Sequence, residues 1–175
     1  TENPVGSVGT QMLPESQLDR FMVCVVMGYP DTEAEMEILS RQPRHGLLDR
    51  VQPVMDKNEL LAMQREVDNI YMSDDIMRYI VSLSQATRQE PRFALGLSPR
   101  GSLAVAGMAR AAAYLAGREF VAPQDVTAIF VDAAHHRLRL TEQAQTAGET
   151  VENVLNDLLH TVPRPRPEKG GRHGR

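Results

Sequence analysis

The residues of this chain that could carry chemistry are its histidines, its single cysteine and a few polar residues set beside turns. His135 and His136 are adjacent and so cannot share one helix face, which removes a two-histidine metal site with ligands four residues apart. His45, His160 and His173 are scattered, with no carboxylate cluster at ligand spacing, so no metal is expected. Cys24 lies inside an apolar run with no feature that would lower its pKa, and reads as a buried, inert thiol. Ser98 precedes Pro99, which makes it a helix cap before it is a nucleophile. Taken alone, Asn3 before Pro4 reads as a turn-forming asparagine, and Arg20 as a solvated guanidinium paired with Asp19. Arg100 falls just after Ser98-Pro99, where a helix start favours an anion over a cation.

Positioning such residues requires a folded body, and the composition supplies one. The chain has 175 residues with 42% apolar and 24% charged side chains, enough for one domain, or one domain plus part of another, with a core of useful size. No apolar run approaches the roughly 20 residues that cross a bilayer, and the first residues have no signal-peptide pattern, so a cytoplasmic protein without a membrane segment is expected. The single cysteine fits that expectation. Net charge is −4, but residues 164–175 hold five basic side chains and one acidic one, which leaves the body at −8. An acidic body with 5% aromatics and no Trp argues against nucleic acid as a partner, since phosphates need clustered Lys and Arg and bases need stacking platforms. Only the basic tail could serve as a nucleic-acid adaptor.

Residues 1–16 are rich in Gly, Pro and Ser and read as loop, with a short helical turn around Pro14–Leu18. Phe21–Met27 form a seven-residue apolar run with three valines, bounded by Gly28 and Pro30, the pattern of a strand buried on both faces of a parallel sheet. No second run of this kind follows, so the chain is expected to begin partway through a larger α/β domain.

Downstream the period is helical. Asp31 or Thr32 can cap a helix with Met36 and Leu39 inward, ending near Arg41, and Thr32 with Glu35 matches a capping box. Pro43, Gly46 and Pro53 mark a linker, and Leu60, Met63, Val67 and Ile70 mark a second helix. Ser73 caps a third, with Ile76, Ile80 and Leu83 inward, running to about Thr87, and a loop spans 88–97. Ser98-Pro99 opens a fourth helix in which ten of the 17 residues in 101–117 are Ala or Gly, so it can sit centrally with close neighbours; Gly117 is its expected C′ residue. Pro123 opens a fifth, with Val126, Ile129, Phe130 and Ala133 inward, and Thr150 caps a sixth with Val151, Val154, Leu155, Leu158 and Leu159. Pro163–Arg175 reads as a flexible, solvated tail, with docking on a polyproline-reading module or acidic surface as the other reading.

Several of these segments, taken in order and spacing over about residues 1–162, resemble the MoxR family of AAA+ proteins. They are Asn3-Pro4 through Gly9-Thr10 to Leu13-Pro14-Glu15-Ser16-Gln17-Leu18-Asp19-Arg20-Phe21, then Gly28-Tyr29-Pro30, Leu97-Ser98-Pro99-Arg100, and Phe120-Val121-Ala122-Pro123-Gln124-Asp125-Val126. The resemblance implies a mainly α fold, a helical-bundle lid domain over 31–163, preceded by a remnant of a P-loop ATPase core over 1–30 (a loop plus one parallel-type strand) and followed by a basic tail over 164–175. It implies that Asn3 is the sensor 1 residue that holds the attacking water, and that Arg20 is an arginine finger acting on a neighbouring subunit's nucleotide. Arg100 would then be the sensor 2 residue on the phosphates of its own subunit's nucleotide. A guanidinium suits both tasks because it stays charged and presents a planar fork of donors.

The chain departs from the family pattern at Gly6, Ser7 and Val8, where acidic residues are usual, and at Gln11-Met12, where an aromatic and a proline are common. It has no Gly-x-x-x-x-Gly-Lys-Ser/Thr loop and no strand ending in paired acids before Asn3, so this chain by itself is not expected to hydrolyse ATP. The resemblance implies a parent ATPase that uses ATP with Mg²⁺, forms a homo-oligomeric ring of six and acts as a chaperone-like factor in the maturation of client proteins, including metalloproteins. The alternative is a stand-alone helical domain that binds a protein partner without nucleotide chemistry.

Overall fold

Hydroxyl side chains set where several helices begin. Ser73, Ser98, Thr141 and Thr150 each accept a backbone N–H three residues on, from Ile76 (3.4 Å), Gly101 (3.1 Å), Ala144 (3.3 Å) and Asn153 (3.1 Å). The computed structural model describes residues 13–40 and 51–165. Within them the order is α1 (Glu15–Leu18), α2 (Thr32–Ser40), α3 (Lys57–Asn69), α4 (Asp74–Gln89), β1 (Phe93–Leu95), α5 (Pro99–Leu115), α6 (Pro123–Ala134), a 3₁₀ turn (His135–Arg137), β2 (Arg139–Leu140), α7 (Glu142–Thr146) and α8 (Val151–Thr161). The chain is mainly α, and among the described residues no helix is long and apolar enough to cross a membrane.

Two compact units are present: Thr1–Cys24 together with Val67–Arg175, and Val25–Glu66. In the second unit Asp31 is the cap of α2, accepting from Ala34 N at 2.8 Å. Met36 and Leu39, expected inward, are 64% and 81% exposed. Asp56 forms a reciprocal capping box with Glu59, accepting from Glu59 N at 2.9 Å while Glu59 Oε2 accepts from Asp56 N at 2.7 Å.

The first unit holds the core. α4, α5, α6 and α8 bury Ile76, Ile80 and Leu83; Val105, Ala109 and Ala113; Val126, Phe130 and Ala133; and Val154 and Leu155. The Ala-rich composition of α5 does what its small side chains suggest, since Ala109 and Ala113 are fully buried together with Phe130 of the neighbouring α6. Gly117 closes α5 with φ of +68°, the left-handed conformation that a C′ glycine adopts without strain. A parallel bridge joins Tyr71 to Phe120, with Tyr71 N donating to Glu119 O and Val121 N to Tyr71 O, both at 2.9 Å. β1 and β2 pair antiparallel, with Phe93 opposite Leu140. Arg92 ties the loop before β1 to α8 through Glu90 and Asp157, each at 2.8 Å. Arg164, at the start of the expected tail, is close enough to the buried Tyr79 to oppose the upward pull of burial on the phenol pKa.

The expected parallel-type strand over Phe21–Met27 does not form among the described residues. A strand needs a ladder on its N–H and C=O groups. Here Cys24 N donates instead to Asp132 O at 3.0 Å, and the carbonyls of Phe21 and Met22 accept from side chains at the end of α6. Only Val23 packs on the core; Val25, Val26 and Met27 are exposed, and Cys24 is half-buried.

Asp125 shows how the segment from α5 to α6 is fixed. It is 6% exposed, accepts from Ala122 N at 2.7 Å and from Arg118 Nη1 at 2.6 Å, and so caps the first turn of α6. Burial alone would raise its pKa; the hydrogen bonds from Arg118 and Ala122 outweigh that and hold the carboxyl below the ordinary aspartate value. A lowered carboxylate pKa stabilises the fold above the unfolded value, and the contribution is lost as pH falls through the folded value. Thermal unfolding measured against pH therefore should show a steeper acid loss of Tm for the wild type than for Asp125→Asn, and Asp125→Ala should cost about 2–4 kcal/mol at neutral pH.

Candidate functional site

The inward stripe of α6, Val126, Phe130 and Ala133, advances by four and three residues, and the next step of four reaches Arg137. The stripe thus delivers a guanidinium to the core edge, where the Arg137 side chain is 2% exposed. A buried guanidinium must use its five N–H groups or forfeit their hydration. Arg137 uses all of them on chain segments that would otherwise lie apart. Nε donates to Asp19 Oδ1 at 3.2 Å, Nη1 to Met22 O at 3.2 Å and to Ala133 O, and Nη2 to Asp19 O at 3.2 Å and to Phe21 O. Burial lowers the Arg137 pKa, Asp19 opposes the fall, and the nearby positive charge of Arg100 adds to it.

Asp19 is shared. The same Oδ1 that faces Arg137 accepts from Ser98 Oγ at 2.9 Å, and Ser98 is the N-cap of α5. The segment carrying Arg20 and the helix start carrying Arg100 therefore meet at one carboxylate. Arg20 is exposed and makes no pair with Asp19, against the expectation from its position in sequence; Asp19 Oδ1 is taken by Arg137 and Ser98 instead. Arg100 is also exposed, and among the described residues neither guanidinium has a hydrogen bond or an ion pair. Asn3 lies outside the described residues, as do His45 and His173.

The turn before α5 is held from beneath by α4. Leu97 N donates to Thr87 Oγ1 at 2.9 Å, Arg88 Nε donates to Leu97 O at 2.7 Å, and the hydroxyls of Ser84 and Ser102 are 2.8 Å apart. Gly101 is needed for this approach: a Cβ there would lie 2.4 Å from Leu97 Cδ1 and 3.1 Å from Arg137 Cδ. The helix start thus lies against the aliphatic stem of the same arginine that holds the Arg20 segment.

The adjacent histidines join this junction instead of forming the solvated helix end expected for them. His135 Nδ1 lies 3.1 Å from Val131 O, and the two rings meet edge to face at 5.5 Å. His136 Nε2 is 3.1 Å from Phe21 O, and because a carbonyl only accepts, Nε2 carries the proton. Burial holds the His136 pKa below its ordinary value; the Phe21 bond opposes this, and the charges of Arg137 and His135 reinforce it. Among the described residues no group of three His, Cys, Asp or Glu side chains could hold a metal ion. The surface beside the junction is a groove of about 400 Å³ lined by residues that include Ser16, Asp19, Ser98 and Arg137, with an exposed Glu15–Arg139 ion pair of 2.9 Å. Arg137 is absent from the motifs legible in the sequence, and Asp19 enters them only beside Arg20 and not as the partner of Arg137. The available signal was the charge standing on the inward period of α6.

The chain has relatives among known proteins. Residues 85–158, from α4 to α8, match the family model of the AAA lid domain. The chain is 39% identical over 165 residues to the uncharacterised protein YeaC of Bacillus subtilis, covering 94% of this chain and 52% of that protein. It is 34% identical over 184 residues to the chaperone MoxR1 of Mycobacterium tuberculosis, covering 97% and 48%. A crystal structure from Cytophaga hutchinsonii described as an ATPase superposes with a TM-score of 0.83 at 28% identity, covering 94% of this chain and 53% of that one. The chain spans about half the length of the curated relatives it matches. The AAA lid match over residues 85–158 and the MoxR-named relatives together support a chain of MoxR-family AAA+ type.

Proposed function

We propose that this chain provides the lid and the phosphate-facing arginines of an ATP-hydrolysing ring. Arg20 acts as the finger on the nucleotide of a neighbouring subunit, Arg100 as sensor 2 on the nucleotide of its own subunit, and Asn3 as sensor 1. In this reading residues 1–30 are the end of the ATPase core and 31–163 the lid. ATP is bound with Mg²⁺, whose ligands lie elsewhere in the full-length protein. Turnover moves lids and subunits of a hexamer, and the movement serves chaperone-like maturation of a client protein in the cytoplasm. The name of the mycobacterial relative, a chaperone, favours that role.

The observation that carries the reading is the pair of exposed guanidiniums left without an ion pair among the described residues, beside a junction in which all five N–H groups of Arg137 are used. A solvated arginine gains little from being held there, whereas a phosphate gains a fixed positive field from Arg100 and from the positive end of the 17-residue α5.

In the full-length protein Arg20→Ala should lower ATP turnover by about 10³- to 10⁵-fold while nucleotide binding persists. Mixing it with subunits whose own nucleotide site is disabled should restore activity in trans. Arg100→Ala should instead weaken nucleotide affinity by about 10- to 100-fold, the loss of one charge-assisted hydrogen bond. Steady-state turnover and equilibrium nucleotide titration measure the two effects, and unchanged values for both variants would reject the assignment.

A further inference from the structure

Beyond the finger and the sensor, the structure assigns Arg137 as the positioning residue of the Arg20 segment, acting through Asp19 to fix that segment to the start of α5. The assignment deepens the proposed function and rests on it for its purpose, but not for its geometry. Residues 19–22 have no ladder or helix of their own, and three of their carbonyls, Asp19, Phe21 and Met22, accept from a single buried guanidinium. Phe21 O also faces His136 Nε2, and Cys24 N is tied to Asp132 O, so the anchoring continues along both edges of the segment. A lysine has three donors on a point charge and cannot span five acceptors spread over two segments.

The Asp19 carboxylate gives the anchor a second consequence. Ser98 Oγ accepts from Gly101 N at 3.1 Å and donates to Asp19 Oδ1 at 2.9 Å, so the hydroxyl that caps α5 also holds the residue preceding Arg20. Movement of α5 that follows the nucleotide at Arg100 is then passed to Arg20 through one hydrogen bond and one buried ion pair. A lid responding to its own nucleotide would thereby set the finger offered to the next subunit. The groups that face this contact are Asp19, Ser98, Arg100, His135 and His136, and Asp19 is the one acid on the guanidinium.

The experiment uses the full-length protein with Arg137→Lys, Asp19→Ala and Asp19→Asn. Backbone hydrogen exchange over residues 19–24 should rise about tenfold or more in Arg137→Lys, and unchanged exchange would overturn the anchor whatever the enzyme does. Turnover by Arg137→Lys should fall about 10- to 100-fold with KM for ATP within about twofold, because the finger is displaced while the subunit's own site stays intact. Mixing Arg137→Lys subunits with site-disabled subunits that carry an unaltered Arg20 should restore turnover, since each working site then receives a well-placed finger. Failure of that rescue would mark a general loss of structure and overturn the positioning role. Asp19→Asn keeps an acceptor for Ser98 and should retain more turnover than Asp19→Ala; equal loss in both would overturn the link to α5. Should Arg20→Ala itself keep full turnover, the finger reading fails, and the exchange result alone decides the anchor.

Discussion

A buried arginine is tolerated only where its charge is met and all its donors are used, and the Arg137 junction satisfies both conditions. Desolvating a guanidinium costs several kcal/mol, on the order of what a small domain has in total stability to spare. Asp19 answers the charge, and the carbonyls of Asp19, Phe21, Met22 and Ala133 answer the remaining N–H groups. All of these acceptors except Ala133 O come from residues more than a hundred positions earlier in the chain, so the cost of burying Arg137 is offset only when the early segment is docked. Folding of the α6 end and placement of the Arg20 segment are therefore one event. A hydrophobic residue at 137 would bury more cheaply but would leave those carbonyls without donors.

The rest of the first unit is arranged around that requirement. Thr87 and Arg88 at the end of α4 fix the backbone of Leu97, Gly101 lets α5 begin close against Leu97 and Arg137, and the small residues of α5 allow α6 to approach along its length. Asp125 then fixes the start of α6 just as Arg137 fixes its end. The helix that carries Arg100 is thus registered at its first turn by contacts from α4, from the 3₁₀ turn and from Asp19. Under the role proposed for Arg100, such registration matters more than the identity of any surface contact, because electrostatic stabilisation depends on donors already in place.

The bundle was legible because its helix starts are written in caps and prolines. Ser73, Ser98-Pro99, Pro123 and Thr150 mark the beginnings of α4, α5, α6 and α8, and the inward periods of those helices match the buried residues. α7 was missed because Glu142–Thr146 is too short to show a period, although Thr141 is a cap. β1 and β2 have three and two residues, below the length at which alternation can be seen. Phe21–Met27 misled because an apolar, valine-rich run reports burial potential, not a hydrogen-bonding partner; its first carbonyls found side-chain donors instead. At the site, Arg20 and Arg100 stood out through family resemblance, since isolated arginines near turns carry little signal. Arg137 went unread, although it stands on the inward period of α6, because the location of its acceptors depends on tertiary contacts that no local pattern encodes.

Energetic coupling between Arg137 and Asp19 is what the proposed placement of the Arg20 segment depends on. A double-mutant cycle between Asp19→Ala and Arg137→Lys, measured by denaturant unfolding, reads that coupling. A coupling free energy of about 1–3 kcal/mol is expected for a pair whose guanidinium is buried. Additive losses, with a coupling of about zero within the usual uncertainty of about 0.3–0.5 kcal/mol, would contradict it.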